Sequence, residues 1–69
     1  MIPFSRKINM YIPFIGNILV ENVFISNEAN LLIIENGLFK LELNKPFQTA
    51  NNEDSIILTK ENMEIKIWR

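Results

Sequence analysis

Two reactive side chains are missing from this sequence, since its 69 residues include neither cysteine nor histidine. Their absence excludes disulfide bonds, thiolate nucleophiles, Cys/His zinc sites and histidine as a general acid or base. Acid–base catalysis would fall to Asp, Glu, Lys or Tyr, and the only adjacent acidic pair is Glu53-Asp54. We therefore expect a protein that is not an enzyme and that holds no metal and no cofactor.

Glycine and long apolar segments are also scarce. The two glycines, Gly16 and Gly37, lie too far apart in the chain for a Gly-rich phosphate loop. No segment approaches the ~20 apolar residues of a membrane span, and the apolar segment after Arg6-Lys7 has no small-residue cleavage site. So small a chain also leaves little room for a cleft. We expect no membrane association, no small-molecule substrate and a cytoplasmic location.

Neither sign of charge dominates, because seven Lys and Arg residues stand against eight Asp and Glu residues. Contacts with phosphate supply much of the affinity for nucleic acid, so a slightly acidic chain is a poor candidate for binding it. If the two chain ends meet, however, four basic residues would form one corner, with Tyr11 and Trp68 available for stacking on bases. These basic residues are Arg6, Lys7, Lys66 and Arg69.

The composition favours β-structure. Ile is the commonest residue with twelve copies, Asn follows with ten, and Ala occurs only twice. β-Branched side chains suit a pleated sheet, whereas helices prefer Ala and tolerate Asn poorly. We predict one small all-β domain over residues 1–69, built as a half-open barrel (SH3-like or OB-like) or a two-layer sandwich of five to six short antiparallel strands.

The first part of the chain contains two predicted strands after an extended lead-in over residues 1–7. A strand over residues 8–14 should end at Pro13 or lie at a sheet edge, because proline has no N–H to donate. Gly16-Asn17 is a natural turn. The strand over residues 18–26 alternates with Ile18, Val20 and Phe24 on one face and apolar residues on the other, which is typical of a central strand.

Two hairpins are predicted in the rest of the chain. Asn36-Gly37 is a strong two-residue turn signal between strands over residues 31–35 and 38–43, and it would place Ile34 opposite Phe39. A polar loop over residues 44–54 follows. In the last hairpin, residues 55–59 and 64–68, burial favours an even-numbered loop that pairs Leu58 with Ile65.

All three prolines precede phenylalanine, which marks Phe4, Phe14 and Phe47. Proline keeps each segment extended and unpaired, so each Phe either plugs an end of the barrel or forms part of a protein-binding rim. Trp68 follows Ile67 and points away from the apolar face of its strand. We predict that Phe4, Tyr11, Phe14, Phe47 and Trp68 bind a partner.

The absence of reactive groups and the abundance of apolar residues favour a function in binding. We expect a non-catalytic module that docks on a larger protein by aromatic contacts or by an edge strand, such as an inhibitor or modulator carried by a phage or other mobile element. A structural subunit that self-associates through its edge strands is an alternative, because a core this small needs support. A small nucleic-acid-binding barrel is a further alternative.

Overall fold

The computed structural model of the protein describes residues 5–69 and consists of seven antiparallel strands. All seven belong to one sheet, in the order β4-β3-β2-β1-β7-β6-β5. The strands are β1 (Arg6–Ile12), β2 (Gly16–Asn27), β3 (Leu31–Asn36), β4 (Phe39–Asn44), β5 (Gln48–Asn51), β6 (Ser55–Lys60) and β7 (Met63–Trp68).

The sheet curls into a half-open barrel, and the connection between its edge strands explains why. In a flat sheet, β4 and β5 would lie six strand spacings apart, or about 29 Å at ~4.8 Å each. Residues 45–47 alone connect them, and such a link spans at most about 14 Å between Asn44 and Gln48. The two edges must therefore approach each other, and the apolar face of the sheet becomes the interior.

The predicted all-β half-open barrel is confirmed, but it has seven strands rather than five or six. The additional strand is β5, which lies within residues 44–54, the segment predicted to be a loop. Its sequence, Gln-Thr-Ala-Asn, lacks large apolar side chains, and all four residues are exposed. Backbone pairing with β6 holds this segment in the sheet, so its side chains carry no pattern from which a strand could be predicted.

A bulge in β2 corrects the predicted faces of that strand. Arg6 pairs with Val23 and Ile8 with Val20, so two residues of β2 oppose one residue of β1. Asn22, at this bulge, has a φ of 57°. The extra residue reverses the inward and outward phase along the strand. Residues 18, 20, 23 and 25 consequently face the core, whereas Leu19 and Phe24 are exposed.

The hairpin of β3 and β4 has the predicted apolar face but different cross-strand partners. Ile34 pairs with Leu41 and Asn36 with Phe39, so the two loop residues are Gly37 and Leu38. The Asn36 side chain accepts a hydrogen bond from the Leu38 N–H at 2.9 Å, which makes Asn36 the first residue of the turn. The predicted pairing of Ile34 with Phe39 is therefore wrong by two positions, a shift that leaves each side chain on its predicted face.

The last hairpin has the predicted even-numbered loop. Leu58 pairs with Ile65, and Glu61 and Asn62 form the loop. At the first hairpin, β1 ends at Ile12, directly before Pro13, as predicted. Gly16, however, already belongs to β2, because residues 13–15 make the turn and Gly16 supplies a φ of 103° at the start of the strand.

The core lies on the concave side of the sheet and draws on six of the seven strands. The buried side chains of β1 and β7 pair directly, with Ile8 opposite Ile67 and Met10 opposite Ile65. The second half of β2 and the hairpin of β3 and β4 cover them from the other side. The core residues of these strands and of β6 are Val23, Leu32, Ile34, Leu43 and Leu58.

The open seam of the barrel

The two edge strands, β4 and β5, each have a single neighbour in the described sheet. The link between them is held against the turn that joins β2 and β3. The Lys45 N–H donates to the Asn30 carbonyl at 3.0 Å, and the Lys45 ammonium donates to Asn27 Oδ1 and to the Glu28 carbonyl at 2.7 Å. The link is therefore fixed in place, and the space between the edges is an open seam in the barrel.

Two residues of β5 have backbone N–H and C=O groups at its free edge. The Asn52 N–H donates to the Ser55 carbonyl at 2.8 Å, directly beyond the paired part of β5 and β6. In an antiparallel ladder, residues alternate between facing the neighbour and facing away from it. Gln48 and Ala50 therefore direct their backbone groups toward β6. Thr49 and Asn51 direct their N–H and C=O groups toward the open seam.

The core reaches the surface along this seam. A groove of about 650 Å³ lies between β5, the link and the far end of β2 and β3. We call it the seam groove. Its floor consists of side chains that belong to the core or pack against it, so the groove opens onto the barrel interior. The apolar residues of the floor are Ile25, Leu32, Phe47, Ile56, Leu58 and Ile67.

The rim of the seam groove carries positive charge. Arg6, Lys45 and Arg69 line it together with Asn27 and Thr49, and its described lining includes no Asp or Glu. These three cations are part of a chain whose net charge is −1, so positive charge is concentrated at this position.

Uncharged oxygens are the hydrogen-bond partners of two of these cations. Lys45 donates to an amide oxygen and a backbone carbonyl. The Arg69 side chain donates to the Asn52 carbonyl at 3.3 Å and to Asn51 Oδ1 at 3.1 Å. Both side chains are thereby oriented while their charge is not neutralised by these contacts.

A second groove, of about 760 Å³, lies near the ends of β1 and β7 and includes Trp68. Lys7 and Lys66 both cover the Trp68 ring, with their ammonium nitrogens 4.7 and 4.0 Å from its centroid. Trp68 pairs with Ser55, and its indole Nε1 and the Ser55 hydroxyl are both buried without a hydrogen-bond partner among residues 5–69. Trp68 therefore acts as a cover over Ser55 on the outer face of the sheet.

Pairing of β1 with β7 forms the basic corner that the sequence suggests. Arg6, Lys7 and Arg69 line the groove beside Trp68, but Glu53 and Asp54 line it too. Two lysines occupy the ring of Trp68, and Tyr11 pairs with Glu64, four residues further along β7. At this corner, opposite charges are mixed, and two lysines cover the ring of Trp68.

The predicted partner-binding residues lie at separate places. Phe47 is half-buried in the seam groove, where it packs against the core. Phe14 is fully exposed in the turn between β1 and β2, with a φ of 70°. Tyr11, which is 47% exposed, and half-buried Trp68 share the outer face about 13 Å apart along the strands. Phe4 lies outside the described residues, and its role stays a prediction.

Lys45 and Thr49 line the seam groove but were not predicted as functional residues. Both lie in the segment predicted to be a polar loop, where neither residue type indicates a site. Their importance depends on β5 being a strand and on its position at the edge. Since the pattern of residues 48–51 does not indicate a strand, the sequence contains no signal that would have identified them.

Other features of the described residues add no further site. Within residues 5–69, no three Asp or Glu side chains come together to hold a metal ion. No helix in this range is long and apolar enough to cross a membrane. Comparisons with protein-family models, curated proteins and solved structures find no match to this chain.

Proposed function

We propose that this protein is a non-catalytic binding module that receives an extended segment of a larger protein along the free edge of β5. The observation that carries the proposal is the open seam, where a strand edge without a neighbour in the described sheet and an apolar groove lie side by side. An added strand would satisfy the outward N–H and C=O groups of Thr49 and Asn51. Its alternate side chains would cover Leu58, Ile56 and their neighbours.

Energetic reasons support a segment in this position. Exposed strand edges are templates for pairing, and apolar grooves that open to solvent mark interaction sites. Burial of apolar area contributes about 25 cal/mol per Å², and the backbone hydrogen bonds give register. The chain has no cysteine, so its fold needs no disulfide bonds and no oxidising compartment. We place the module in the cytoplasm. A small binder without reactive groups is suited to inhibit or modulate its partner.

The test uses a random octapeptide display library as the probe and the full chain as the immobilised target. Peptides selected on the wild-type chain are then titrated by calorimetry against Thr49→Pro and Thr49→Val. Proline removes the outward N–H but leaves the hydrogen bonds with β6 intact, because the N–H and C=O groups of Thr49 point away from β6. Valine keeps the N–H and the shape of the side chain, so it is the matched control.

We expect Thr49→Pro to weaken the selected peptides at least tenfold, because a backbone hydrogen bond is lost and its acceptor is left unpaired. Thr49→Val should bind as the wild type does. Circular dichroism of both variants establishes that the fold is intact. Equal affinity for the two variants, or a library from which no peptide is enriched, would overturn the proposal.

Self-association through the same edge is the second candidate, because the molecule has two free edges, β4 and β5. Sedimentation of the purified chain at micromolar concentration separates the two functions. A monomer supports the binding module. A dimer or larger assembly that Thr49→Pro dissociates supports the structural subunit.

A further inference from the structure

We infer that the segment bound in the seam groove is an acidic–apolar peptide, with alternate apolar residues flanked by Asp or Glu. This inference rests on the proposed function and adds the chemistry of the partner. It follows from the positions of the charges relative to the apolar floor.

The cations lie at the two ends of β5. Lys45 precedes the strand by three residues. Arg69 donates to Asn51, the last residue of the strand. Four extended residues alongside β5 would span about 14 Å, so side chains just beyond them would meet a cation at each end.

The apolar floor lies between these charges. Thr49 has its side chain in the groove, as do Ile56 and Leu58 of the neighbouring strand. In a strand added beside β5, residues at positions i and i+2 point to one face. Two apolar side chains in that relation would rest on the floor, and the residue between them would face outward.

The charges of the rim are available to a partner. The described lining of the seam groove contains no Asp or Glu side chain. Glu53 and Asp54 line the neighbouring groove, which shares only Arg6 and Arg69 with the seam groove. An acidic segment would gain attraction from Lys45 and from these arginines. A basic segment would be repelled, so the rim also selects against wrong partners.

The experiment analyses the octapeptides that the library yields on the wild-type chain. We expect Asp or Glu to be enriched on both sides of two apolar residues spaced i and i+2. Each selected peptide is then titrated against Arg6→Gln, Lys45→Gln and Lys40→Gln. Lys40 is the matched control, because it is an exposed lysine of β4 that does not line the groove.

We expect Arg6→Gln and Lys45→Gln to weaken the acidic peptides about threefold to tenfold, and Lys40→Gln to leave them unchanged. Replacing the acidic residues of a peptide by Asn and Gln should abolish the difference between the variants. The thermal unfolding temperature of Lys45→Gln shows how much stability is lost with the contacts that Lys45 makes to the turn between β2 and β3.

The outcomes separate this inference from the proposed function. Peptides that lose affinity on Thr49→Pro but carry no acidic residues, or that bind Arg6→Gln and Lys45→Gln as well as the wild type, would overturn the acidic chemistry and leave the seam as the binding site. Peptides that bind Thr49→Pro and Thr49→Val equally would overturn both.

Discussion

The bulge at Asn22 decides which side chains of β2 enter the core, and three changes at this position test its contribution. Deleting Asn22 removes the extra residue. Asn22→Val keeps the residue but places a β-branched side chain at a φ of 57°. Asn22→Gly keeps it and removes the steric cost of that conformation. We expect the free energy of unfolding to be higher for glycine than for valine. The deletion should stay folded, because regular alternation after Val20 then still turns Val23 and Ile25 inward.

The magnitudes follow from burial. If Asn22 stayed in the chain but took the regular strand conformation, the second half of β2 would turn over, so that Val23, which is 0% exposed, and Ile25 would leave the core. Full burial of such a side chain contributes about 1.5–3 kcal/mol. Phe24 would turn inward in place of the smaller Val23 and overpack the core, which costs about 1–3 kcal/mol.

Together these losses match or exceed the ~3–5 kcal/mol that so small a core supplies. A chain that kept residue 22 but lost the bulge would therefore be unfolded at 25 °C, so a substitution at this position keeps the bulge and meets only the conformational cost of the new residue. Asn22→Val should lose about 1–2 kcal/mol, and Asn22→Gly should stay within about 0.5 kcal/mol of the wild type.

Urea unfolding followed by far-ultraviolet circular dichroism measures all three variants. The glycine variant is the control, because it has the same chain length and no side chain to clash. An Asn22→Val variant that unfolds at the same urea concentration as Asn22→Gly would refute the reasoning, since the φ of 57° at the bulge would then carry no cost for a β-branched residue.

Two further substitutions test local features of the fold. Ser55→Ala should raise the free energy of unfolding by about 1 kcal/mol in urea titrations, because it removes a fully buried hydroxyl without a partner in the described chain. A lower free energy of unfolding would instead show that a water molecule binds this hydroxyl. Glu61→Asn should raise the free energy of unfolding by about 0.5–1 kcal/mol, because Asn tolerates the φ of 53° at this loop position better than Glu does. The neighbouring change Asn62→Asp is the control. Equal free energies of unfolding for Glu61→Asn and the wild type would contradict the prediction.

The seam groove could be predicted only in part. The sequence places Phe47 after a proline as an apolar anchor, and Arg6 and Arg69 near the two chain ends. It does not place these residues together, because their proximity requires β1 to pair with β7 and β5 to pair with β6. It also does not identify Thr49 as an edge residue, since an exposed strand of Gln-Thr-Ala-Asn is held by backbone hydrogen bonds that leave no pattern in the side chains.

The sequence by itself excluded chemistry that needs cysteine or histidine, and it determined the all-β class. It also determined the end of β1 at Pro13 and the two hairpins, one at Gly37 and one at the Glu61-Asn62 loop. These features depend on residues that are close in the chain. Tertiary structure alone decided the phase of β2, the seventh strand and the open seam. The reason is that the bulge at Asn22 and the approach of β4 to β5 arise from how strands distant in sequence pack around one interior, and no short segment carries that information.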